Sequence, residues 1–187
     1  MEAVSSTDGI RRLNWGCGDS GEPGWINSDL KDGPGVDVSA DIREGLPLED
    51  DILDYIVSIH ALPMISLPDI DAVLRELRRM LKPSGVLRLC LPDLDRGIRA
   101  YLHGDREYFL VSDDDVKSYG GQFITHMLWY GYTVTLFTAD FIEELLGRAG
   151  FRDIVQCSFG QTRSQFGPGI LELDNRESES LFVEAVK

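Results

Sequence analysis

A strand-like run that ends in a glycine turn, residues 10–18, is the first pattern in the sequence that could do chemistry. Gly16 and Gly18 have no Cβ atom, so a ligand can come close to their backbone, and both can take φ values that other residues avoid. In an open parallel sheet, ligands bind at the carboxyl ends of the strands. We therefore expect this turn to form the floor of a ligand site, although a tight turn without a ligand would show the same pattern.

The string GCGDSG, residues 16–21, also matches the dinucleotide-binding pattern G-x-G-x-x-G letter for letter. That pattern needs its last glycine to open a helix, with an acidic residue about twenty positions further on. Here Glu22-Pro23-Gly24 follows at once, which is typical of a turn, and Asp29 comes too early. A nucleotide-dependent oxidoreductase is therefore a disfavoured alternative.

The charge balance excludes several classes of partner. The chain of 187 residues has 18 Lys and Arg against 32 Asp and Glu, a formal net charge of −14, which repels nucleic acid and anionic membrane surfaces. Cys17, Cys90 and Cys157 lie far apart and are odd in number, which indicates reduced thiols in a cytoplasmic protein. No metal-ligand spacing, signal peptide or membrane-spanning stretch is visible, so we expect no metal, no nucleic acid and no membrane contact.

The first half of the chain predicts strands joined by short links. The predicted strands are 10–15, 25–30, 36–41 and 54–60. Parallel crossovers usually contain a helix, and the links 16–24 and 31–35 are too short for one. One face of the sheet should therefore lack helices, and covering that face predicts self-association, as a homodimer.

Helical patterns dominate the second half. Residues 67–81 predict a helix that begins after Ser66, and 139–149 predict another after Thr138. Between them, residues 94–137 are rich in aromatic side chains and predict two helices, near 95–110 and 113–130. These can form a self-packed hydrophobic lid, a substrate wall, or both at once. Closing strands are predicted at 154–159 and 181–186.

The order of these segments resembles the class I S-adenosylmethionine-dependent methyltransferases, in particular the small type 11-like members. The resemblance rests on LNWGCG (13–18), INSDL (26–30), residues 39–62, VLRELRRMLKPSGVLRLCLPDLD (73–95), and the last helix and hairpin. It implies an α/β, Rossmann-like sandwich with a mostly parallel sheet and a C-terminal antiparallel hairpin. The length of 187 residues predicts one domain over residues 1–187, in which residues of about 94–137 would form a helical lid on the substrate side.

The same resemblance implies S-adenosyl-L-methionine as cofactor. Asp29 would bind the ribose hydroxyls, and Asp41 and Ile42 would contact the adenine. The full set of predicted cofactor-binding residues is Asn14, Gly16, Cys17, Gly18, Asp29, Leu30, Asp41, Ile42, Ser58 and His60. The sequence departs from close relatives at Pro63-Met64, where a Glu and a second His are commonly found, and it lacks room for the helix after the glycine turn.

Methyl transfer needs a positioned cofactor and, for some O or N nucleophiles, a base. His60 and His126 are the candidate catalytic bases, because histidine titrates near neutrality; each could equally be an ordinary structural histidine. Asp93, His126 and Tyr130 are the candidate substrate residues, with helix capping as the alternative for Asp93. The acceptor is expected to be a small molecule, and a cofactor-binding subunit without catalysis is the alternative function.

Overall fold

One seven-stranded sheet forms the centre of the computed structural model, which describes residues 9–19 and 21–187. The strands are β1 (Arg12–Trp15), β2 (Ile26–Asp29), β3 (Val38–Ser39), β4 (Leu53–Ile59), β5 (Leu81–Pro92), β6 (Arg152–Cys157) and β7 (Ser180–Val186). Their order is β3-β2-β1-β4-β5-β7-β6. Strands β1 to β5 pair in parallel, and β7 is antiparallel to both neighbours. The predicted fold class is confirmed.

Two helices cover one face of this sheet: α1 (Leu67–Met80), between β4 and β5, and α4 (Ala139–Arg148), before β6. Their apolar sides repeat at the predicted helical spacing and pack on the strands in the main core. The helix side chains in that core include Ile70, Val73, Leu74, Leu77, Ile142, Leu145 and Leu146. These helices position β4 and β5, whose carboxyl ends carry part of the site described below.

The N-termini of both helices differ from the prediction in their hydrogen bonds. Ser66 and Thr138 occupy the N-cap positions, but neither side chain accepts a backbone N–H. Instead the Ser66 hydroxyl donates to the Asp69 carboxylate at 2.6 Å, and the Thr138 hydroxyl donates to Asp140 at 2.5 Å. Both carboxylates lie in the first turn, where the helix dipole favours negative charge.

The opposite face is covered by the segment 158–175, between β6 and β7, rather than by helices. Among the described residues no α-helix follows β1 or β2, as the short links predicted. Ile170 and Phe166 join Tyr55 and Val57 of β4 in a second apolar cluster, and the Phe166 and Tyr55 ring centroids are 5.4 Å apart. The predicted lack of α-helices on this face is present in the described residues, but the face is covered by the chain's own segment, so the reason for expecting a homodimer is removed. The homodimer itself stays a prediction.

A buried ion-pair network fastens the segment 158–175 to the sheet. Arg88 of β5 is 0% exposed, and its guanidinium donates to both oxygens of Asp174, at 2.7 and 2.5 Å. Arg88 also donates to Glu184 of β7 at 2.8 Å, and Glu184 accepts the Thr162 hydroxyl at 2.5 Å and the Arg163 amide at 3.0 Å. Burial alone would lower the pKa of Arg88, but these carboxylate partners outweigh it and raise the pKa above the ordinary value.

Residues 94–137 contain two helices, α2 (Leu94–His103) and α3 (Tyr119–Leu128), both shorter than predicted. Gly104, with a φ of 73°, ends α2 in a left-handed C-cap, so the chain from 104 to 118 is irregular. The Tyr101 ring stacks on Tyr119 and Phe123, with centroids 5.0 Å apart in both pairs. A lid function for this segment, and the single-domain organisation, stay predictions. No helix in the described part of the chain is long and apolar enough to cross a membrane.

Candidate active site

A cavity of about 490 Å³ lies at the carboxyl ends of the central strands. Its floor comes from the glycine turn after β1, the end of β2 and the residues after β4. Its walls come from residues 126–133, around the end of α3, and from the chain just before β7. The residues that matter to its chemistry are Gly16, Gly18, Asp29, His60, His126, Trp129, Tyr132, Arg176 and Glu179.

The two glycines of the turn have different reasons to be glycine. Both have positive φ, 78° at Gly16 and 64° at Gly18. A Cβ atom on Gly16 would lie 2.1 Å from the Cβ of Ala61, so this glycine is required by the close approach of the chain after β4. A Cβ on Gly18 would meet no atom within 4 Å. The open space of the floor therefore lies at Gly18, where the predicted ligand contact has room.

Asp29 ends β2 on the cavity floor, as predicted. Its Oδ2 accepts the Gly18 amide at 2.9 Å, and its Oδ1 accepts the Lys31 amide at 3.2 Å. These two bonds fix the carboxylate beside the glycine turn. Each oxygen has further lone pairs, so the carboxylate can still accept ligand hydroxyls. Leu30, also predicted to bind cofactor, lines the same cavity and is 61% exposed.

A second cavity of about 420 Å³ adjoins the first, and both share Gly16, Gly18 and Arg176 as lining residues. Asn14 and Cys17, two predicted cofactor residues, line this second cavity. The Asn14 amide donates to the Asn27 side chain at 3.1 Å. Burial, and then the charge of Asp29, raise the pKa of the Cys17 thiol, which is therefore protonated at neutral pH.

Three predicted cofactor residues do not line either cavity. The Asp41 carboxylate forms an ion pair with Arg43, with Oδ2 and Nη2 2.5 Å apart, and this pair lowers the pKa of Asp41. Ile42 is 4% exposed and belongs to the main core. Ser58 is 1% exposed, and its hydroxyl has no hydrogen-bond partner. Ile42 and Ser58 are thus buried inside the protein and away from both cavities. The cavities therefore do not support their predicted role in cofactor binding.

Two predicted substrate residues are also engaged elsewhere. Asp93 is the N-cap of α2 and accepts the Arg96 amide at 3.0 Å, so the capping alternative is the one that the structure shows. The Tyr130 hydroxyl donates to Asp115 at 2.8 Å, and its ring is not among the lining residues of the cavity. Trp129 and Tyr132 line the cavity in its place.

His60 follows β4 directly and lines the cavity, as predicted. Its φ of 55° is in the left-handed region, and its Nε2 lies 2.8 Å from the Ser180 hydroxyl. Burial, with smaller effects of Arg176 and His126, lowers the pKa of His60 to about 3. The imidazole is therefore neutral at physiological pH. A side chain with so low a pKa is a weak base, and this does not favour the predicted role of His60 as a general base.

His126 is 3% exposed and faces the cavity from α3. Its Nδ1 accepts the Leu110 amide at 3.0 Å, so the proton of the neutral ring is on Nε2. Nε2 lies 3.5 Å from Oε2 of Glu179. Burial lowers the pKa of His126, although the charge of Glu179 opposes this. In this tautomer the neutral ring can donate from Nε2 into the cavity, but it has no free lone pair there. This does not favour the predicted role of His126 as a general base.

The sequence reasoning missed Glu179 and Arg176. Glu179 is 5% exposed, and its Oε1 accepts from Arg176 at 3.1 Å. Its backbone carbonyl accepts the Asp93 amide at 2.9 Å, which ties it to the end of β5. The acid precedes an apolar strand, and nothing local indicates its burial, since α3 and β5 close around it from distant parts of the chain. Across the described residues, no group of three or more His, Cys, Asp or Glu side chains could hold a metal ion.

The chain was compared with protein families and with solved structures. Residues 14–89 match a family model described as a methyltransferase domain. A structure from Thermotoga maritima, described as a SAM-dependent methyltransferase and possible histamine N-methyltransferase, superposes with a TM-score of 0.57 at 19% identity, over 95% of this chain and 82% of that chain.

Two further solved structures show the same likeness. A SAM-dependent methyltransferase from Archaeoglobus fulgidus gives a TM-score of 0.58 at 16% identity, over 96% of this chain and 87% of that chain. An S-adenosylmethionine-dependent methyltransferase from Mesorhizobium loti gives 0.55 at 18% identity, over 95% and 91%. No curated protein sequence matches this chain. At these identities the structural likenesses establish the fold alone.

Proposed function

We propose that this chain is a class I S-adenosylmethionine-dependent methyltransferase and that it transfers a methyl group to an oxygen or nitrogen atom of a small molecule; its fold and the match of residues 14–89 support this. The observation that carries the proposal is the cavity of about 490 Å³. Its floor holds the glycine turn and Asp29, and its opposite wall is formed by residues 126–133. A cofactor and an acceptor can therefore meet in one cavity.

The residues of the floor fit S-adenosylmethionine. The open space at Gly18 admits a ligand against the backbone, and the Asp29 carboxylate beside it can accept the two ribose hydroxyls. Arg176 reaches both cavities, and a guanidinium is well suited to bind a carboxylate such as that of the methionine moiety. These three residues are the ones that we expect to hold the cofactor.

When bound, this cofactor supplies a methyl group already activated on a sulfonium. The protein then mainly has to position the acceptor and exclude water. His126 and Trp129 contribute to a wall that separates the cavity from solvent, and their rings meet edge to face with centroids 6.1 Å apart. Neutral His60 and His126 orient groups through hydrogen bonds instead of removing protons.

The chain at Pro63-Met64, where the sequence departs from relatives, takes part in the site through its backbone. The Pro63 carbonyl accepts the amides of Val134 and Thr135 at 2.9 and 3.1 Å. This contact ties residues 133–135 to the chain after β4, next to the cavity. The backbone at this run thus helps to build the site wall, and Met64 lines the cavity.

Calorimetry with separate ligands tests the proposal. S-adenosylmethionine and its demethylated product should bind, and NAD should not. Turnover is then measured by release of the demethylated product over a panel of small metabolites. Binding of NAD without binding of the sulfonium cofactor would refute the methyltransferase function and restore the oxidoreductase alternative. Cofactor binding without turnover on any acceptor would favour the non-catalytic subunit.

A further inference from the structure

Glu179 places a buried negative charge in the lining of the cavity. Its side chain is 7% exposed and lines the same cavity as the glycine turn. One oxygen, Oε1, is engaged by Arg176, whose side chain is 43% exposed. Within the described residues no hydrogen bond to Oε2 is formed, and the nearby Nε2 of His126 is 3.5 Å away. Oε2 therefore keeps acceptor capacity for a ligand.

Two backbone contacts fix the chain at Glu179. The Glu179 backbone carbonyl accepts the Asp93 amide, and the next residue, Ser180, pairs with Pro92 at the start of β7. His126 cannot turn to accept a hydrogen bond from a ligand, because its Nδ1 is occupied by the Leu110 amide. Oε2 is therefore an open acceptor, and the donors beside it are Nε2 of His126 and, on the Oε1 side, the guanidinium of Arg176.

Aromatic side chains stand in the same wall. Trp129 and Tyr132 line the cavity beside His126. Aromatic faces attract cations, and tryptophan does so most strongly. A hydrogen-bond acceptor with negative charge, in a cavity that aromatic rings also line, favours a ligand that carries both N–H donors and positive charge. The net charge of −14 adds a long-range attraction for such a ligand.

We propose that the acceptor, within the methyltransferase function proposed above, is a small amine that binds as a cation with an N–H donated to Oε2 of Glu179. Trp129 and Tyr132 form the apolar side of this subsite. Before transfer, the ammonium gives one proton to the Glu179 carboxylate, which frees the nitrogen lone pair. The nitrogen then forms a bond to the methyl carbon while the carbon–sulfur bond breaks. The sulfur keeps that electron pair and becomes a neutral thioether, and the proton on Glu179 passes to water.

Ligand-observed NMR on the protein saturated with S-adenosylhomocysteine tests this subsite directly. The probes share one carbon skeleton: 2-phenylethylamine, 2-phenylethanol and phenylacetate. At neutral pH the amine should bind roughly tenfold or more tightly than the alcohol, because its hydrogen bond to Glu179 is charge-assisted. The carboxylate should bind most weakly. Equal binding of amine and alcohol, or preference for the carboxylate, would overturn the proposal.

Two variants assign the effect to Glu179. In Glu179→Gln the preference for the amine should fall by roughly tenfold, while calorimetry shows an unchanged dissociation constant for S-adenosylmethionine. Glu177→Gln removes the same charge from an exposed position two residues away and should change neither quantity. If Glu179→Gln weakens S-adenosylmethionine instead, Glu179 is a cofactor residue and the subsite is refuted. A wild-type protein that does not bind the sulfonium cofactor refutes the proposed function itself, which is a different outcome.

Discussion

Removing Arg88 should destabilise the fold more than any surface charge change of the same type. Arg88→Met deletes a guanidinium that is 0% exposed and leaves Asp174 and Glu184 without their cation, although each is only 3% exposed. Breaking a buried ion pair by removing one partner costs about 3–5 kcal/mol. For a chain of this size, 1 kcal/mol shifts the melting temperature by about 2–4 °C, so we expect a decrease of about 6–20 °C.

Thermal unfolding followed by circular dichroism measures this decrease, and two comparisons make it specific. Arg148→Met removes an arginine from an exposed pair with Glu144, 3.9 Å apart, and such pairs contribute less than about 1 kcal/mol. Asp174→Asn keeps the shape of the network and leaves Glu184 to balance Arg88, so its melting temperature should lie between those of Arg88→Met and wild type. A melting temperature for Arg88→Met within the range of Arg148→Met would refute the reasoning that this network holds the segment 158–175.

Three further outcomes follow from the site. Asp29→Ala should raise the dissociation constant of S-adenosylmethionine in calorimetry by about 10- to 150-fold, the equivalent of 1.5–3 kcal/mol for a charge-assisted bond; an unchanged constant removes Asp29 from the ribose. His60 is protonated in the unfolded chain below about pH 6.5 but in the native state only below about pH 3, so its contribution to stability is lost as the pH falls through that window. In denaturant unfolding, His60→Asn, which tolerates the positive φ, should flatten this acid decline, and an unaltered slope would contradict the lowered pKa. Gly16→Ala should unfold at a lower temperature than wild type, because its Cβ would lie 2.1 Å from that of Ala61. Gly18→Ala, whose Cβ meets no atom within 4 Å, should chiefly weaken cofactor binding. Equal melting temperatures of the two variants would contradict the different roles of the glycines.

Elements whose formation depends on residues close together in the sequence could be predicted from it. The strand that ends at Gly16 and the apolar side of α1 could be identified because their periodicity is local. The cover of the second face could not be identified, because the segment 158–175 has few apolar residues and relies on Arg88, far away in the sequence. A charged residue within the apolar run VLRLCL was a signal of a buried partner, but nothing local indicated which carboxylate it would meet.

Some residues of the site could be predicted from the sequence, and others could not, for the same reason. Asp29 was correctly placed on the floor because it ends a strand beside the glycine turn, and that order is fixed by the parallel sheet. Tyr130 and Trp129 are adjacent in sequence, and only the left-handed backbone at both residues decides which ring enters the cavity. Glu179 lies in a run that was assigned only to the closing strand, and its burial depends on contacts with α3 and β5 that no sequence period encodes.

The loop that replaces the helices has a consequence for how the protein responds to ligands. The segment 158–175 runs directly into Arg176 and Glu179, so the cover of one sheet face and the wall of the cavity are a single stretch of chain. Binding that orders this wall must, by thermodynamic linkage, also stabilise the cover, and loosening of the cover must weaken binding by the same free energy. Slow amide hydrogen exchange at residues 160–163, which line neither cavity, would thus report occupancy of a site that these residues do not touch.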